Sequence, residues 1–320
     1  GGDISVTTTG RMINFEAISA TGANGSIFLE AGTSGLNGNH GVEIRTGGVT
    51  TDGTGTITII GSSTSQKGVY INSGNAISSA DGDITITGTS DSAIGLDARG
   101  EGSPISASGA GNITLIGSGG FGVFLDSDLT SNAGNGGDGG NIIIRGTGAT
   151  DDGVRLRRHD VSTTGAATIE ITGTGGNSGA ITGETLATGE DGVKIHSSDV
   201  TTGGAISITG TGGSHFAAQG VEVGGGVDLV SGGKIELTGE SAGGGVYINI
   251  NEADPDIEST SLDTDDDIVI TGTGTGTGAE DRGVDIRNTT LLHSGNGDIL
   301  ISGTSAGDEG VFLRAADATV

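Results

Sequence analysis

The sequence predicts an all-β parallel β-solenoid, and three observations support this fold class. Glycine is unusually abundant, with 68 copies among 320 residues, about three times its usual share. Short runs of Ile, Val and Leu recur along the chain with a period of two, which is the pattern of strands that bury one face. Two phrases built from these runs alternate about every 27 residues, and self-similarity at such a period is typical of solenoids.

The first phrase has the form GVxI, in which the two apolar residues point inward and the residue between them points outward. In GVEI we therefore expect Val42 and Ile44 inside and Glu43 outside. Degenerate copies begin at Met12 and Ala93. The clear copies begin at Gly41, Gly68, Gly122, Gly153, Gly192, Gly220, Gly245, Gly283 and Gly310.

The second phrase resembles GDITITG, in which Ile84 and Ile86 point inward and Thr85 points outward. Between the two phrases lies a shorter apolar point, such as Val49 or Ile77, which predicts a third, short strand. Gly, Asn, Asp and Ser fill the gaps, as tight turns require. The prediction is one continuous solenoid over residues 1–320, with about 11 coils of about 27 residues, three strands per coil and no capping segments.

Composition and charge exclude several classes of protein. The net charge of −27 repels nucleic acid and anionic membranes, so we expect neither as a partner. The chain has no apolar run long enough for a membrane helix, and it has no Cys for disulfides or thiolate metal sites. The β-branched runs argue against disorder, and the missing Gly-X-Y triplet argues against collagen. An acidic, Cys-free chain rich in Thr and Ser favours an extracellular or cell-surface location.

The two ends of the chain read as complementary halves of one coil. When the tail GVFLRAADATV is joined to the head GGDISVT, Val311 falls on Val193 and Ile4 falls on Ile206 of an uninterrupted coil. This match between tail and head predicts head-to-tail extension into a filament. An uncapped solenoid exposes an open strand edge and the apolar core of its last coil at each end. The alternative is a fragment cut at a coil boundary of a longer solenoid. The predicted contact residues between units are Gly1, Gly2, Ile4, Val6, Val311, Leu313 and Val320.

The repeated GVxI and GDITITG-like phrases, together with Gly/Asn/Asp turns and no Cys, resemble the repeats of filamentous-haemagglutinin-type bacterial exoproteins. This resemblance implies a single-stranded right-handed parallel β-helix that is secreted as an adhesin or surface fibre and has no catalytic role. We therefore expect a structural subunit of an extracellular filament. The alternative is an adhesin shaft that binds glycans or neighbouring cells.

Some parallel β-helices cleave polysaccharides, and two fragments of this chain invite that comparison. His40 lies in NHGVEIR, and Asp151, Asp152 and Arg155 lie in DDGVRLR. A hydrolase site needs paired carboxylates, a His and a basic residue in one groove. The repeat spacing separates His40 from Asp152 by four coils, or roughly 19 Å. We therefore expect no enzyme activity.

An acidic run supplies a candidate calcium site. Carboxylates two residues apart can share a hard cation, and Ca²⁺ takes six to eight oxygen ligands. The alternative is a solvated acidic loop, and no other cofactor is predicted. The candidate ligands are Asp263, Asp265 and Asp266 of the sequence DTDDD.

Two sets of outward residues are candidates for lateral contacts with a second fibre or with sugars. Three basic residues lie within the sequence RLRRH, where a local surface counter-charge is the alternative explanation. Aromatic residues recur at the outward position of GVxI, where exposed rings favour packing or sugar stacking. These residues are Arg155, Arg157, Arg158, Tyr70, Phe124, Tyr247 and Phe312.

Outward threonines raise ice binding as a further, less favoured function. One column is formed by Thr172, Thr209, Thr238 and Thr271. Ice binding calls for a flat array of two columns, and the neighbouring outward positions preceding these threonines carry Glu170, Ser207, Glu236 and Val269. The sequence therefore predicts that no such array exists.

Overall fold

Three parallel β-sheets run side by side along the protein in a computed structural model. The structure describes residues 2–14, 16–33, 38–72, 74–100, 104–134, 137–177, 190–250, 256–264, 268–278, 281–288 and 291–314. Within these residues each coil contributes one strand to each sheet, so every strand pairs with its counterparts one coil before and one coil after. This arrangement is the predicted parallel β-solenoid with three strands per coil.

The described residues form 32 strands, which we number in chain order. Sheet A contains β1 (Ile4–Thr8), β4 (Ile27–Thr33), β7 (Ile57–Ser63), β10 (Ile84–Ser90), β13 (Ile113–Gly119), β16 (Ile142–Gly148), β19 (Ile169–Thr174), β22 (Ile206–Thr211), β25 (Ile235–Ser241), β28 (Ile268–Gly274) and β31 (Ile299–Ser305). Sheet B contains β2 (Met12–Asn14), β5 (Val42–Ile44), β8 (Val69–Ile71), β11 (Ile94–Arg99), β14 (Phe121–Asp126), β17 (Val154–Arg157), β20 (Val193–His196), β23 (Gln219–Gly224), β26 (Gly244–Asn249), β29 (Arg282–Arg287) and β32 (Val311–Arg314). Sheet C contains β3 (Ile18–Ala20), β6 (Val49–Thr51), β9 (Ile77–Ser79), β12 (Ile105–Ala107), β15 (Leu129–Ser131), β18 (Val161–Thr163), β21 (Val200–Thr202), β24 (Leu229–Ser231), β27 (Asp256–Ser259) and β30 (Leu291–Ser294).

The strand register confirms the repeat derived from the sequence. The GDITITG-like phrases form sheet A, the GVxI phrases form sheet B, and the short apolar points form sheet C. The degenerate phrases at Met12 and Ala93 supply β2 and β11. Strands align in register from coil to coil, so that Ile84 of β10 lies between Ile57 and Ile113. Neighbouring strands of a sheet lie about 4.8 Å apart, so the ten steps between the eleven strands of sheet A make the solenoid about 50 Å long.

The core is a set of stacked aliphatic columns inside the coils. The inward apolar residues of sheets A, B and C, such as Ile86, Leu96 and Ile105, are fully buried, and nearly all of these apolar residues are Ile, Val or Leu. Stacking provides this burial because each coil supplies only a few apolar side chains and covers those of its neighbours.

The corner between sheets A and B depends on glycine in both phrases. A Cβ atom built on Gly88 of β10 would overlap the carbonyl oxygen of Gly95 in β11, and one built on Gly95 would overlap the backbone of Ser118. The main chains therefore pack against each other directly, and any side chain would push the sheets apart. This close approach explains why both phrases keep a glycine at nearly every coil.

Buried hydroxyl groups close the turn from sheet C to sheet A. Ser79 donates to the Gly55 carbonyl over 3.1 Å and accepts from the Gly82 N–H over 2.9 Å. Ser131 repeats this pattern with Gly111 and Gly140. These bonds satisfy backbone groups that the turn would otherwise leave buried without a partner.

The first and last described coils leave inward-facing apolar side chains in contact with solvent. Val6 is 42% exposed, and Val311 and Leu313 are 37% and 57% exposed, although they occupy positions that are buried elsewhere. Ile4 is half-buried, and Gly2 is exposed. No helix covers either surface within the described residues, whereas Gly1 and Val320 lie outside them. The described residues also contain no helix that is long and apolar enough to cross a membrane.

Candidate interaction face on sheet B

The outward side of sheet B carries most of the chemically distinctive side chains of the protein. Its central column follows the x position of GVxI, one residue per coil, and Arg155, Lys194 and Glu222 stack in it on successive coils. In chain order the column consists of Ile13, Glu43, Tyr70, Asp97, Phe124, Arg155, Lys194, Glu222, Tyr247, Asp285 and Phe312. The structure thus brings the predicted aromatic residues and Arg155 onto one face.

Basic side chains concentrate on this same face. The chain has 13 Lys and Arg residues, and all of them except Arg145 and Lys234 lie in sheet B or in the turns directly beside it. The outward positions of sheets A and C are occupied mainly by Thr and Ser instead. The basic residues of this face are Arg11, Arg45, Lys67, Arg99, Arg155, Arg157, Arg158, Lys194, Arg282, Arg287 and Arg314.

Several outward carboxylates of the column are buried beneath these basic side chains. Asp97 has no exposed surface, and its carboxylate lies 2.7 Å from both Lys67 Nζ and Arg99 Nε. Glu43 is 2% exposed and is paired with Arg11 and Arg45. Burial acts to raise the pKa of Glu43, but the hydrogen bonds from the two guanidinium groups outweigh it and hold the pKa below its usual range.

The aromatic residues of the column act as platforms for the same cations. Lys67 Nζ lies 3.5 Å from the ring centroid of Tyr70, and the Arg99 guanidinium carbon lies 4.5 Å from that of Phe124. The expectation that all these rings are exposed is wrong for Phe124, which is only 7% exposed. Tyr70, Tyr247 and Phe312 are half-buried. Arg99 covers Phe124 by reaching across from the adjacent coil, whereas Lys67 lies over Tyr70 from the same coil.

The basic cluster RLRRH is neutralised by nearby acids of its own molecule. Arg155 Nε donates to Asp152 over 2.6 Å, and Arg158 Nε donates to Asp126 over 3.2 Å. Arg157 Nη2 lies 3.9 Å from the same Asp126 carboxylate. The local counter-charge explanation therefore accounts for these contacts, and a role in lateral contacts stays a prediction.

Two buried carboxylates lie beside this cluster on adjacent coils. The backbone N–H of Asp191 donates to Asp152 over 3.0 Å, and Lys194 Nζ lies 3.1 Å from Asp191. Burial raises the pKa of Asp152 to about 6, with a further contribution from Asp151. Burial and the Asp152 charge raise the pKa of Asp191 as well. This pair was not predicted from the sequence, because the two residues are 39 positions apart along the chain.

The structure keeps the two hydrolase-like fragments apart. His40 precedes β5 and Asp152 precedes β17, so four coils separate them, as the spacing predicts. The His40 ring packs against Tyr70 at 5.1 Å, and its Nδ1 accepts from the Lys67 N–H. Burial lowers the pKa of His40. The fragments therefore supply no shared groove of paired carboxylates, a His and a basic residue.

The proposed calcium ligands are described only in part. Asp263 is exposed, and its backbone N–H donates to Ser261 Oγ over 3.1 Å. Asp265 and Asp266 lie outside the described residues. Among the side chains that the structure describes, no group of three or more His, Cys, Asp or Glu residues is arranged to hold a metal ion.

Sheet A carries a second threonine column that the sequence reasoning missed. Thr174, Thr211 and Thr273 lie two residues after the predicted column and align from coil to coil in register with Glu240 and Thr304. The expectation concerned a regular array of two threonine columns, and Glu240 interrupts this second column. The sequence signal was the repeated TGT tripeptide, whose central Gly points inward.

Aspartates form a ladder at the corner between sheets B and C. Each carboxylate accepts the backbone N–H of the next Asp, at 3.0–3.2 Å, from Asp128 through Asp160 and Asp199 to Asp228. Burial, followed by the charges of Asp160 and Asp228, raises the pKa of Asp199. The sequence feature that could have predicted this ladder is the Asp that directly precedes the sheet C strand in each of these coils. The ladder satisfies backbone donors at the cost of charge repulsion.

A groove crosses the sheet B face near the last coils. Its volume is about 130 Å³. It lies between the loop that precedes β23 and the outward residues of β26 and β29. Its lining consists of Phe216, Ala217, Gln219, Gly243, Tyr247, Arg282, Asp285 and Arg287.

Comparison with known proteins identifies no relative: no family model, no curated protein and no solved structure matches the chain.

Proposed function

We propose that this chain is a structural segment of an extracellular or cell-surface fibre, in which further coils stack on both ends of the described solenoid. The observation that carries the proposal is the exposure of inward-facing apolar residues at both ends, with Val6 at 42% and Leu313 at 57%. In every interior coil the equivalent positions are covered by the next coil. Added coils would cover these side chains and pair the open strand edges.

The positions of the two ends within the repeated coil support the proposal. Val311 and Val193 both belong to sheet B strands, and Ile4 and Ile206 both belong to sheet A strands. In the other coils a sheet B strand is followed by a sheet C strand and then by a sheet A strand, so a coil that has reached β32 is completed by a sheet C strand and continued by a strand of the β1 type. The proposal places the next coil on a second copy of the chain, and such a head-to-tail contact is heterologous and does not close on itself, which produces a fibre.

The location outside the cell rests on composition. The chain has no Cys and a net charge of −27, which suits a surface that stays soluble at high concentration. The resemblance to filamentous-haemagglutinin-type exoproteins supports the same proposal at the level of a repeated β-solenoid fold.

The test is self-association of the purified chain, measured by sedimentation velocity and negative-stain electron microscopy over a range of concentrations. We expect rods whose lengths are multiples of about 50 Å. Leu313→Asp should suppress association by placing a charge on the end surface. Leu300→Asp is the matched control, since Leu300 belongs to the same last coil and is 56% exposed but points outward from sheet A.

Two outcomes contradict the proposal. One is a population of single rods of about 50 Å at every concentration, which shows that the ends do not associate. The other is equal association of Leu313→Asp and Leu300→Asp, which shows that contacts form through the sides of the solenoid.

A further inference from the structure

We propose that the groove on sheet B binds one neutral pyranose ring of an oligosaccharide. The proposal is independent of fibre formation, because the groove lies on the side of the solenoid and is complete within one chain. It assigns a ligand class to a site built from three adjacent coils.

The first observation is an exposed aromatic wall. Phe216 is 73% exposed, in a chain that has only six Phe and no Trp. Its ring packs on one side against His215, with centroids 4.3 Å apart, which holds it at the groove. The half-buried ring of Tyr247 lines the same groove. Sugars present an apolar C–H surface that packs against such rings.

The second observation is a set of polar groups lining the groove that have hydrogen-bonding capacity left for a ligand. Tyr247 Oη accepts from Asn249 over 2.8 Å, and no described residue accepts its own proton. Arg287 donates to Asp285 through Nε and Nη2, which leaves its Nη1 without a described acceptor. Gln219 adds an amide to the lining. Donors and acceptors beside an aromatic wall match the hydroxyl groups at the edge of a sugar ring.

The third observation is the charge balance, which favours a neutral ligand. Arg282 faces Asp285 at 3.0 Å and Glu309 at 3.0 Å, and Arg287 faces the same Asp285 carboxylate at 2.7 Å. The guanidinium charges are therefore already compensated. An anionic sugar would also approach a molecule whose net charge is −27.

The size of the groove limits the ligand to a short stretch of glycan. Its volume of about 130 Å³ is below the 300–1,000 Å³ typical of enclosed ligand pockets. One ring therefore occupies the groove, and the neighbouring sugars lie on the open surface. We expect millimolar affinity for a single site, which a fibre displaying many copies would strengthen through multivalency.

The experiment is an NMR titration of the isotope-labelled chain at a concentration below self-association, with cellohexaose, chitohexaose and mannohexaose as neutral probes and hexagalacturonate as the acidic probe. We expect saturable shifts at groove residues with at least one neutral probe and none with hexagalacturonate. Phe216→Ala should weaken binding about tenfold, and Phe216→Trp should retain it. Tyr247→Phe, which keeps the ring, should weaken binding by a smaller factor.

Leu262→Ala is the control for removing an exposed apolar side chain elsewhere, since Leu262 is 81% exposed and does not line the groove. Its binding should equal that of the unmodified chain. Absence of saturable binding to all three neutral probes overturns the proposal. Preference for hexagalacturonate, or unchanged binding by Phe216→Ala, overturns it as well.

Discussion

Asp152 and Asp191 occupy equivalent positions on adjacent coils, and the backbone N–H of Asp191 donates to the Asp152 carboxylate over 3.0 Å. Neither side chain is appreciably exposed. Two acids thus share a buried site on sheet B, with Arg155 on one side and Lys194 on the other. The arrangement makes the stability of the central coils dependent on pH.

We expect stability to fall as pH rises from about 4 to about 6 through the contribution of Asp152. Its pKa is raised from 3.8 to about 6 in the folded chain, so the folded state binds the proton more tightly than the unfolded state. The stabilisation is complete below the unfolded pKa and is lost as pH rises through the folded pKa, an effect on the order of 3 kcal/mol. Asp152→Asn should flatten this slope in urea unfolding measured across that pH range. An unchanged slope in the variant contradicts the assignment.

The ion pairs of sheet B should contribute to stability according to their burial. Asp97→Ala leaves Lys67 and Arg99 facing an empty buried site, and we expect a loss of about 3 kcal/mol or more. Glu170→Ala is the matched control, since Glu170 pairs with Arg145 at 2.9 Å but is 42% exposed. Its loss should stay below about 1 kcal/mol. Urea unfolding of both variants tests the difference, and equal losses would contradict it.

The close contact between sheets A and B should make its glycines intolerant of any side chain. Gly88→Ala places a methyl group against the Gly95 carbonyl, and we expect a loss of about 1–3 kcal/mol. Gly134→Ala introduces the same methyl group where no atom lies within 4 Å, so it should leave the melting temperature nearly unchanged. Thermal unfolding of the two variants checks this, and a Gly88→Ala variant as stable as Gly134→Ala would refute the packing explanation.

The two threonine columns of sheet A should not confer ice binding. Within a column, neighbouring residues lie one coil apart, at about 4.8 Å. The two columns lie two residues apart along each strand, at about 6.6 Å, and together they form a grid. Glu240 interrupts the second column, and Arg145 and Ile116 occupy positions of the first. We expect thermal hysteresis no greater than that of buffer, measured by nanolitre osmometry. A measurable hysteresis that increases in Glu240→Thr would show that the grid is functional despite the interruptions.

The candidate site could be predicted only in part. The aromatic residues and Arg155 fall on one face because the GVxI phrase sets their position in the strand, and this is readable from the sequence. The burial of Phe124 and Asp97 is not readable, because it depends on basic side chains that reach across from adjacent coils. The groove escapes prediction for the same reason, since Phe216 belongs to a loop outside both phrases.

The sequence by itself determined the fold class, the three strands of each coil and the inward positions of residues such as Ile84 and Leu96. Strand alternation and glycine placement are local properties, so a period of two and a repeat of about 27 residues suffice to define them. The tertiary structure alone decided which outward charges are buried, which threonines share a grid and that Asp152 meets Asp191. These relationships join residues on different coils, and their energies depend on the lateral distances that stacking imposes.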